Sequence, residues 1–205
     1  MSRLIAAASL LLLAAGCSGS PARVHAPEFD PSATAAKAIE LHDKNGDSQL
    51  SQQELADCAG LRLLLARCDA NADKSLDRDE LAAGVQTWVD DRLGMVQVGF
   101  RVLLDGQPLP GAEVSLEPEP CLAETIPTAQ GTASDAGSGD LQSDPQTLPE
   151  QVRQLRVVRP GVYRVRITHP KRKIPARYNT QTELGLEVSQ RSPGPSPVTW
   201  ALRSK

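Results

Sequence analysis

Two twelve-residue stretches of the chain repeat one alternation of acidic, amide and hydroxyl side chains. They are DKNGDSQLSQQE, residues 43–54, and DANADKSLDRDE, residues 69–80. Positions 1, 3, 5, 7, 9 and 12 are Asp43, Asn45, Asp47, Gln49, Ser51 and Glu54 in the first, and Asp69, Asn71, Asp73, Ser75, Asp77 and Glu80 in the second. A hard cation such as Ca²⁺ takes roughly six to eight oxygen ligands, so this spacing predicts two calcium sites. The alternative is a pair of acidic helix N-termini.

The two stretches resemble the calcium loops of EF-hand proteins, whose pattern is D-x-[DN]-x-[DN]-G-x5-E. The resemblance implies a helix before and after each loop, and a short antiparallel bridge between Leu50 and Leu76 at position 8. Dockerin modules have similarly close loops, but their loops usually end in Asp, whereas both loops here end in Glu. We therefore interpret residues 31–94 as an EF-hand pair, with Ser32 as the expected cap of its first helix.

Both stretches depart from the EF-hand pattern at position 6, where Ser48 and Lys74 replace glycine. That position requires a positive φ, which costs a residue other than glycine about 1–2 kcal/mol. We therefore expect two working sites of modest affinity. Modest affinity suits proteins outside the cell, where calcium modules bind at roughly 10⁻⁴ to 10⁻³ M.

Residues 1–17, MSRLIAAASLLLLAAGC, combine an early arginine with an apolar run and small residues before Cys17. This pattern resembles a bacterial lipoprotein signal, which implies that Cys17 becomes the lipidated N-terminus. Residues 18–30 are small, polar and interrupted by proline, so we interpret them as a tether to the membrane. An ordinary cleaved secretion signal is the alternative.

Three further cysteines are present, at positions 58, 68 and 121. Cys58 lies four residues after Glu54, and Cys68 directly precedes Asp69, so both are expected to face the core between the loops. Because an exported protein tolerates disulfides, we predict a bond between Cys58 and Cys68. Two buried thiols are the alternative, and the state of Cys121 is left open.

Residues 95–205 change to alternating apolar and polar residues between turns rich in Gly and Pro, which predicts short antiparallel strands. The stretches DGQPLPGAEVSLEP, RPGVYRVRITHP and IPARYNTQTELGLEVS resemble a transthyretin-like, carboxypeptidase-regulatory-like domain of exported planctomycete lipoproteins. The resemblance implies a seven-stranded Greek-key sandwich with no catalytic residues. Residues 118–150 are expected to form a long loop with one or two weak edge strands.

The composition argues against several functional classes. Net charge is −3 and aromatic residues make up 3% of the chain, which does not fit a nucleic-acid surface. Three histidines are present, and none stands in an H-E-x-x-H motif; phosphate-loop and nucleophile-elbow motifs are also missing. We therefore expect a protein that is not an enzyme.

These observations predict an α+β chain of two domains, an all-α EF-hand pair followed by an all-β Greek-key sandwich of the transthyretin (prealbumin) type. The expected function is that of a calcium-binding lipoprotein, exported and anchored on the periplasmic or cell-surface face of a membrane. Its sandwich would bind a protein partner or act as a scaffold at the cell envelope. A dockerin-like docking module and a calcium-independent structural protein are the alternatives.

The predicted lipid anchor can be tested at Cys17. Replacing the residue with alanine should move the protein from the membrane fraction to the soluble fraction, because the acylated atom is lost. Globomycin should likewise block processing of the unmodified chain. Ser20→Ala is the control and should stay in the membrane fraction. Membrane retention of Cys17→Ala would contradict the prediction.

Overall fold

A computed structural model describes residues 24–190 and 197–205, so Cys17 and most of the predicted tether lie outside the described residues. The α-helices of this part are Pro31–His42 (α1), Leu61–Cys68 (α2) and Arg78–Asp91 (α3). A search of the described helices finds none with the length and apolar character needed to cross a membrane.

The strands of the described residues are mostly short. They are Leu50–Ser51 (β1), Ser75–Leu76 (β2), Gly99–Leu104 (β3), Gln107–Pro108 (β4), Glu113–Pro118 (β5), Ala129–Thr132 (β6), Ser138–Asp140 (β7), Gln142–Ser143 (β8), Gly161–Thr168 (β9), Gly185–Val188 (β10) and Val198–Leu202 (β11). Short 3₁₀ helices connect several of them.

The strands form three sheets. The first contains β1 and β2 alone. The second has five antiparallel strands in the order β10-β9-β5-β6-β8. The third is centred on β3, with β11 along one side and β4 and β7 pairing with different parts of the same strand. Strand β11 runs parallel to β3, so this sheet is mixed.

The two larger sheets and the helices bury their apolar residues in one connected core. Phe100 on β3 lies against β6 of the other sheet, since a Cβ atom added at Gly131 would come within 2.6 Å of its ring. On the helical side, Trp88 of α3 is 1% exposed, and Tyr163 of β9 is fully buried. The helices are therefore part of the same folded unit as the five-stranded sheet.

Helix ends follow from local hydrogen bonds. The side chain of Asp30 accepts a hydrogen bond from the Ala33 N–H and caps α1, so the cap is Asp30 and not Ser32. Helix α3 begins with a capping box in which Asp77 and Glu80 each accept a hydrogen bond from the other's backbone N–H.

The predicted fold class is wrong. The structure is mixed, with three helices and with sheets of two, five and four strands among the described residues, and an all-α EF-hand pair is not seen. The segment after the first acidic loop does not continue as an α-helix. It forms a 3₁₀ helix, Glu54–Asp57, which ends at Cys58. The part of the chain from β3 onward is mostly β, as expected.

The physical reason is the close approach of this segment to the five-stranded sheet. A Cβ atom at Gly185 on β10 would overlap the Ala59 carbonyl oxygen, and a Cβ atom at Gly60 would lie 2.8 Å from a carboxylate oxygen of Glu119. Backbone packs on backbone at Gly185, and Gly60 lies against the Glu119 side chain and the Tyr163 backbone, which leaves no room for the side chains of a continuing helix.

The β region also differs from expectation in two places. Residues 118–150, expected to form a long loop with one or two weak edge strands, contain β6, β7, β8 and two short 3₁₀ helices, and a third 3₁₀ helix begins at Glu150. Strand β6 pairs with both β5 and β8, so it lies inside its sheet. The predicted antiparallel sandwich also contains the parallel β3–β11 pair.

Glu187 on β10 joins α2 and α3 to the sheet. Its side chain is 6% exposed, and its Oε1 atom accepts hydrogen bonds from Arg67 at 3.1 Å and from the Trp88 indole N–H at 3.0 Å. Because a buried carboxylate is stable only when it is paired, these two bonds fix where the helices lie on the sheet.

Glu187→Ala should lower the free energy of unfolding by about 2–4 kcal/mol, because the indole N–H and the partly buried guanidinium both lose their partner. Urea denaturation followed by Trp fluorescence measures the loss. Glu183→Ala is the matched control, since that side chain is exposed and should change the value by less than about 0.5 kcal/mol. Equal losses in both variants would contradict this role of Glu187.

Candidate metal-binding loops

Each acidic stretch folds into a loop that its first aspartate organises. In the first loop, residues 43–54, Asp43 accepts hydrogen bonds from the Gly46 N–H at 2.7 Å and from the Ser48 N–H at 2.9 Å. In the second loop, residues 69–80, Asp69 accepts from the Asp73 N–H at 3.1 Å and from the Lys74 N–H at 3.0 Å. The first aspartate therefore holds the backbone of the two loops in nearly the same way.

The middle positions of the loops also match. In the first, the Asn45 amide donates to Asp47 at 2.8 Å, and the Asp47 N–H donates back to the Asn45 side chain at 2.9 Å. In the second, Asn71 and Asp73 make the same two contacts, both at 2.9 Å. Position 7 also matches between the loops. In the first, the backbone N–H of Gln49 donates to Asp47. Likewise, the backbone N–H of Ser75 donates to Asp73.

The glutamate at position 12 closes each loop. Glu54 accepts hydrogen bonds from the Lys44 N–H at 2.8 Å and, through its other oxygen, from the Ser51 N–H at 2.9 Å and hydroxyl at 2.7 Å. These bonds, that of the Ser51 hydroxyl first, lower the pKa of Glu54 to about 2. Glu80 makes the equivalent contacts, with Ala70 at 2.9 Å and Asp77 at 3.1 Å.

The two loops touch through β1 and β2. Leu50 pairs with Leu76, and Ser51 pairs with Ser75, in an antiparallel bridge. Both leucines are fully buried. The expected bridge at position 8 is thus confirmed, and it makes the loops neighbours in space.

Position 6 has the expected left-handed backbone in both loops, with φ of 66° at Ser48 and 68° at Lys74. Position 4 is also left-handed, with φ of 79° at Gly46 and 61° at Ala72, which the sequence interpretation missed. Gly46, which stands at position 4 of the first loop, was the sequence signal for this left-handed backbone. The second loop therefore has two residues other than glycine in a conformation that favours glycine.

The predicted disulfide between Cys58 and Cys68 is not formed, since both cysteines are free thiols. The Cys58 thiol faces His42, with Sγ 3.3 Å from Nδ1. Cys68 instead lies against Gly84 on α3, where an added Cβ atom would be 2.9 Å from its sulfur. The two thiols point to different neighbours because the 3₁₀ helix before Cys58 replaces the expected α-helix.

Sequence reasoning also missed a group of metal-ligating side chains outside the loops. A ring nitrogen of His42, the Cys58 sulfur and a carboxylate oxygen of Glu119 lie within 4.8 Å of one another. No spacing motif connects these residues, because Glu119 follows β5 and reaches the other two only through the tertiary fold.

Comparisons with known proteins add no relative. A scan against protein-family models, a search of curated proteins and a search of solved structures each found no match. The EF-hand and transthyretin-like resemblances therefore stay predictions from the residues alone.

Ser48→Gly should tighten calcium binding by up to about tenfold, because glycine adopts the left-handed backbone at no steric cost. Calorimetric titration of both proteins with CaCl₂ measures the change. Gln52→Gly is the control, since Gln52 lies in the same loop without a positive φ and should give no gain. An unchanged affinity for Ser48→Gly would show that position 6 does not limit binding.

Proposed function

We propose that the chain binds Ca²⁺ in the two acidic loops, residues 43–54 and 69–80. The observation that carries the proposal is the set of hydrogen bonds that both loops share, in which the side chains at positions 1, 3, 5 and 12 make corresponding contacts. Carboxylate and amide oxygens at these positions are the ligands that a hard cation prefers.

Both loops concentrate negative charge on short side chains. The first offers carboxylates at Asp43, Asp47 and Glu54, and the second offers them at Asp69, Asp73, Asp77 and Glu80. Such charges repel one another, so a divalent cation stabilises the loops by neutralising them. The closing glutamates are buried, at 6% and 8% exposure, which keeps them within the loop.

Calcium would then mainly have a structural effect. The first loop connects α1 to the segment that lies on the sheet, and the second connects α2 to α3. Because the loops also pair with each other through Leu50 and Leu76, an ion in either loop restrains both connections. Metal binding is thereby linked to the stability of the helices on the sheet.

The proposed cellular setting rests on the sequence alone. A lipid at Cys17 would anchor the chain to a membrane outside the cytosol, where calcium is abundant enough for sites of modest affinity. There the β part would act as a scaffold or bind another envelope protein.

Calorimetric titration of the full chain tests calcium binding. Two sites are expected, with dissociation constants of roughly 10⁻⁴ to 10⁻³ M. Glu54→Gln and Glu80→Gln should each remove one site, or weaken it by about tenfold or more, because an amide replaces the bidentate carboxylate.

Asp79→Asn is the matched control for these variants. Asp79 is exposed in the first turn of α3, next to Glu80 but outside the ligand positions, and its change should leave both sites intact. The proposal fails if the unmodified chain gives no heat above buffer at millimolar calcium.

A further inference from the structure

Three potential metal ligands meet at the base of the first acidic loop, two from its flanks and one from a distant part of the chain. His42 is the last residue of α1, Cys58 follows the 3₁₀ helix after the loop, and Glu119 directly follows β5. We call these three residues the buried cluster. Cys58 is 2% exposed and Glu119 is fully buried, so the cluster lies between the helices and the five-stranded sheet.

The distances suit a single ion bound by all three side chains. Two ligands of a tetrahedral zinc ion at Zn–S of about 2.3 Å and Zn–N of about 2.0 Å stand roughly 3.5 Å apart. The Cys58 sulfur and His42 Nδ1 are 3.3 Å apart. All three ligand atoms lie within 4.8 Å of one another. The carboxylate therefore needs to approach the other two ligands by roughly 1.5 Å at most.

Two polar atoms at the cluster are buried without a hydrogen bond within the described part of the chain. They are Oε2 of Glu119 and Nε2 of His42. A buried carboxylate oxygen with no donor is costly, and burial raises the pKa of Glu119. A cation bound at Oε2 would remove this cost.

The nearest positive charge compensates Glu119 only in part. Arg164 on β9 places Nε 4.0 Å from Oε2 of Glu119, which is too far for a hydrogen bond. Its terminal nitrogen lies 3.7 Å from Glu117, so the guanidinium is shared between two carboxylates. With a metal bound, the deprotonated Cys58 and the Glu119 carboxylate would carry two negative charges together, which a divalent cation balances.

Glu119 has a second role that does not use Oε2. Its Oε1 atom accepts a hydrogen bond from the Gly60 N–H at 2.6 Å, directly before α2. That bond gives Oε1 a hydrogen-bond partner and holds the Glu119 side chain against the helical segment. It leaves the other oxygen free to bind a metal.

The same groups do not form an activated nucleophile. Burial raises the pKa of the Cys58 thiol to about 11. Burial, with Arg164 and Lys44 nearby, lowers the pKa of His42. A neutral thiol beside a neutral imidazole is the reverse of the thiolate–imidazolium pair that cysteine catalysis needs. A buried thiol is also out of reach of a large substrate.

We infer that His42, Cys58 and Glu119 bind a divalent transition metal through three protein ligands, with Zn²⁺ the best match. Sulfur, imidazole and carboxylate ligands select zinc-like ions over calcium. The ion joins the end of α1 and the start of α2 to the end of β5. It therefore ties the helices to the sheet independently of any ion in the acidic loops.

The test is cobalt substitution in the full chain. Protein freed of metal with a chelator is titrated with Co²⁺ in excess Ca²⁺, which occupies any oxygen-rich site. One Co²⁺ per chain should bind with a thiolate-to-cobalt absorption band, and Zn²⁺ should displace it. Zn²⁺ should also raise the melting temperature in the same buffer.

Variants assign the site. Cys58→Ser should abolish the band. Cys68→Ser, the matched thiol control at the C-terminal end of α2, should keep it. Glu119→Gln should weaken Co²⁺ binding at least about tenfold while keeping an oxygen acceptor for the Gly60 N–H. Glu119→Gln also carries the test if Cys58→Ser does not fold.

Two results would overturn the inference. One is no thiolate band in the unmodified chain, and the other is a band that survives both Cys58→Ser and Glu119→Gln. Calcium titration of Cys58→Ser separates this site from the acidic loops. Unchanged calcium heats with a lost cobalt band mean that the two sites are independent, whereas calcium heats lost together with the band would contradict that independence.

Discussion

The helices of this protein are held against the five-stranded sheet by apolar packing around two buried carboxylates, and this contact determines the rest of the structure. Glu187 accepts from Arg67 and from the Trp88 indole N–H, and Glu119 accepts from the Gly60 N–H. Each bond runs from a helical segment to the sheet or to a residue at its edge. Without such partners, the desolvation of the buried carboxylates would strongly destabilise the fold.

This contact also sets the geometry of the acidic loops. Each loop is fixed at both ends by an element that packs in the common core, and the loops meet at the Leu50–Leu76 pair. The loop frame then needs only local hydrogen bonds, such as those from Ser48 to Asp43 and from Lys74 to Asp69. The first loop and the buried cluster share the same chain segment, because His42 precedes the loop and Cys58 follows it. An ion in either place would stiffen the same connection.

Local patterns were predicted better than the architecture. The left-handed sixth position and the bridge between Leu50 and Leu76 were expected from the resemblance to EF-hand loops. The hydrogen bonds that shape each loop join residues close in sequence, so the twelve-residue spacing was sufficient to locate both loops. The short strands between residues 95 and 205, β9 among them, followed from alternation. The all-α class and the Cys58–Cys68 disulfide were wrong for one reason. Both assumed an α-helix after Glu54, and that segment is instead pressed onto the sheet at Gly60 and Gly185.

The sequence by itself determined where oxygen-bearing side chains repeat, because that spacing is contained within twelve residues of chain. It also determined which segments alternate as strands, since the side-chain period is local. Only the tertiary structure decided that β11 pairs parallel with β3 and that helices and sheet share one core. It alone brought Glu119 to His42 and Cys58. Such contacts join residues far apart in sequence, and they form only when apolar faces from several elements are buried together.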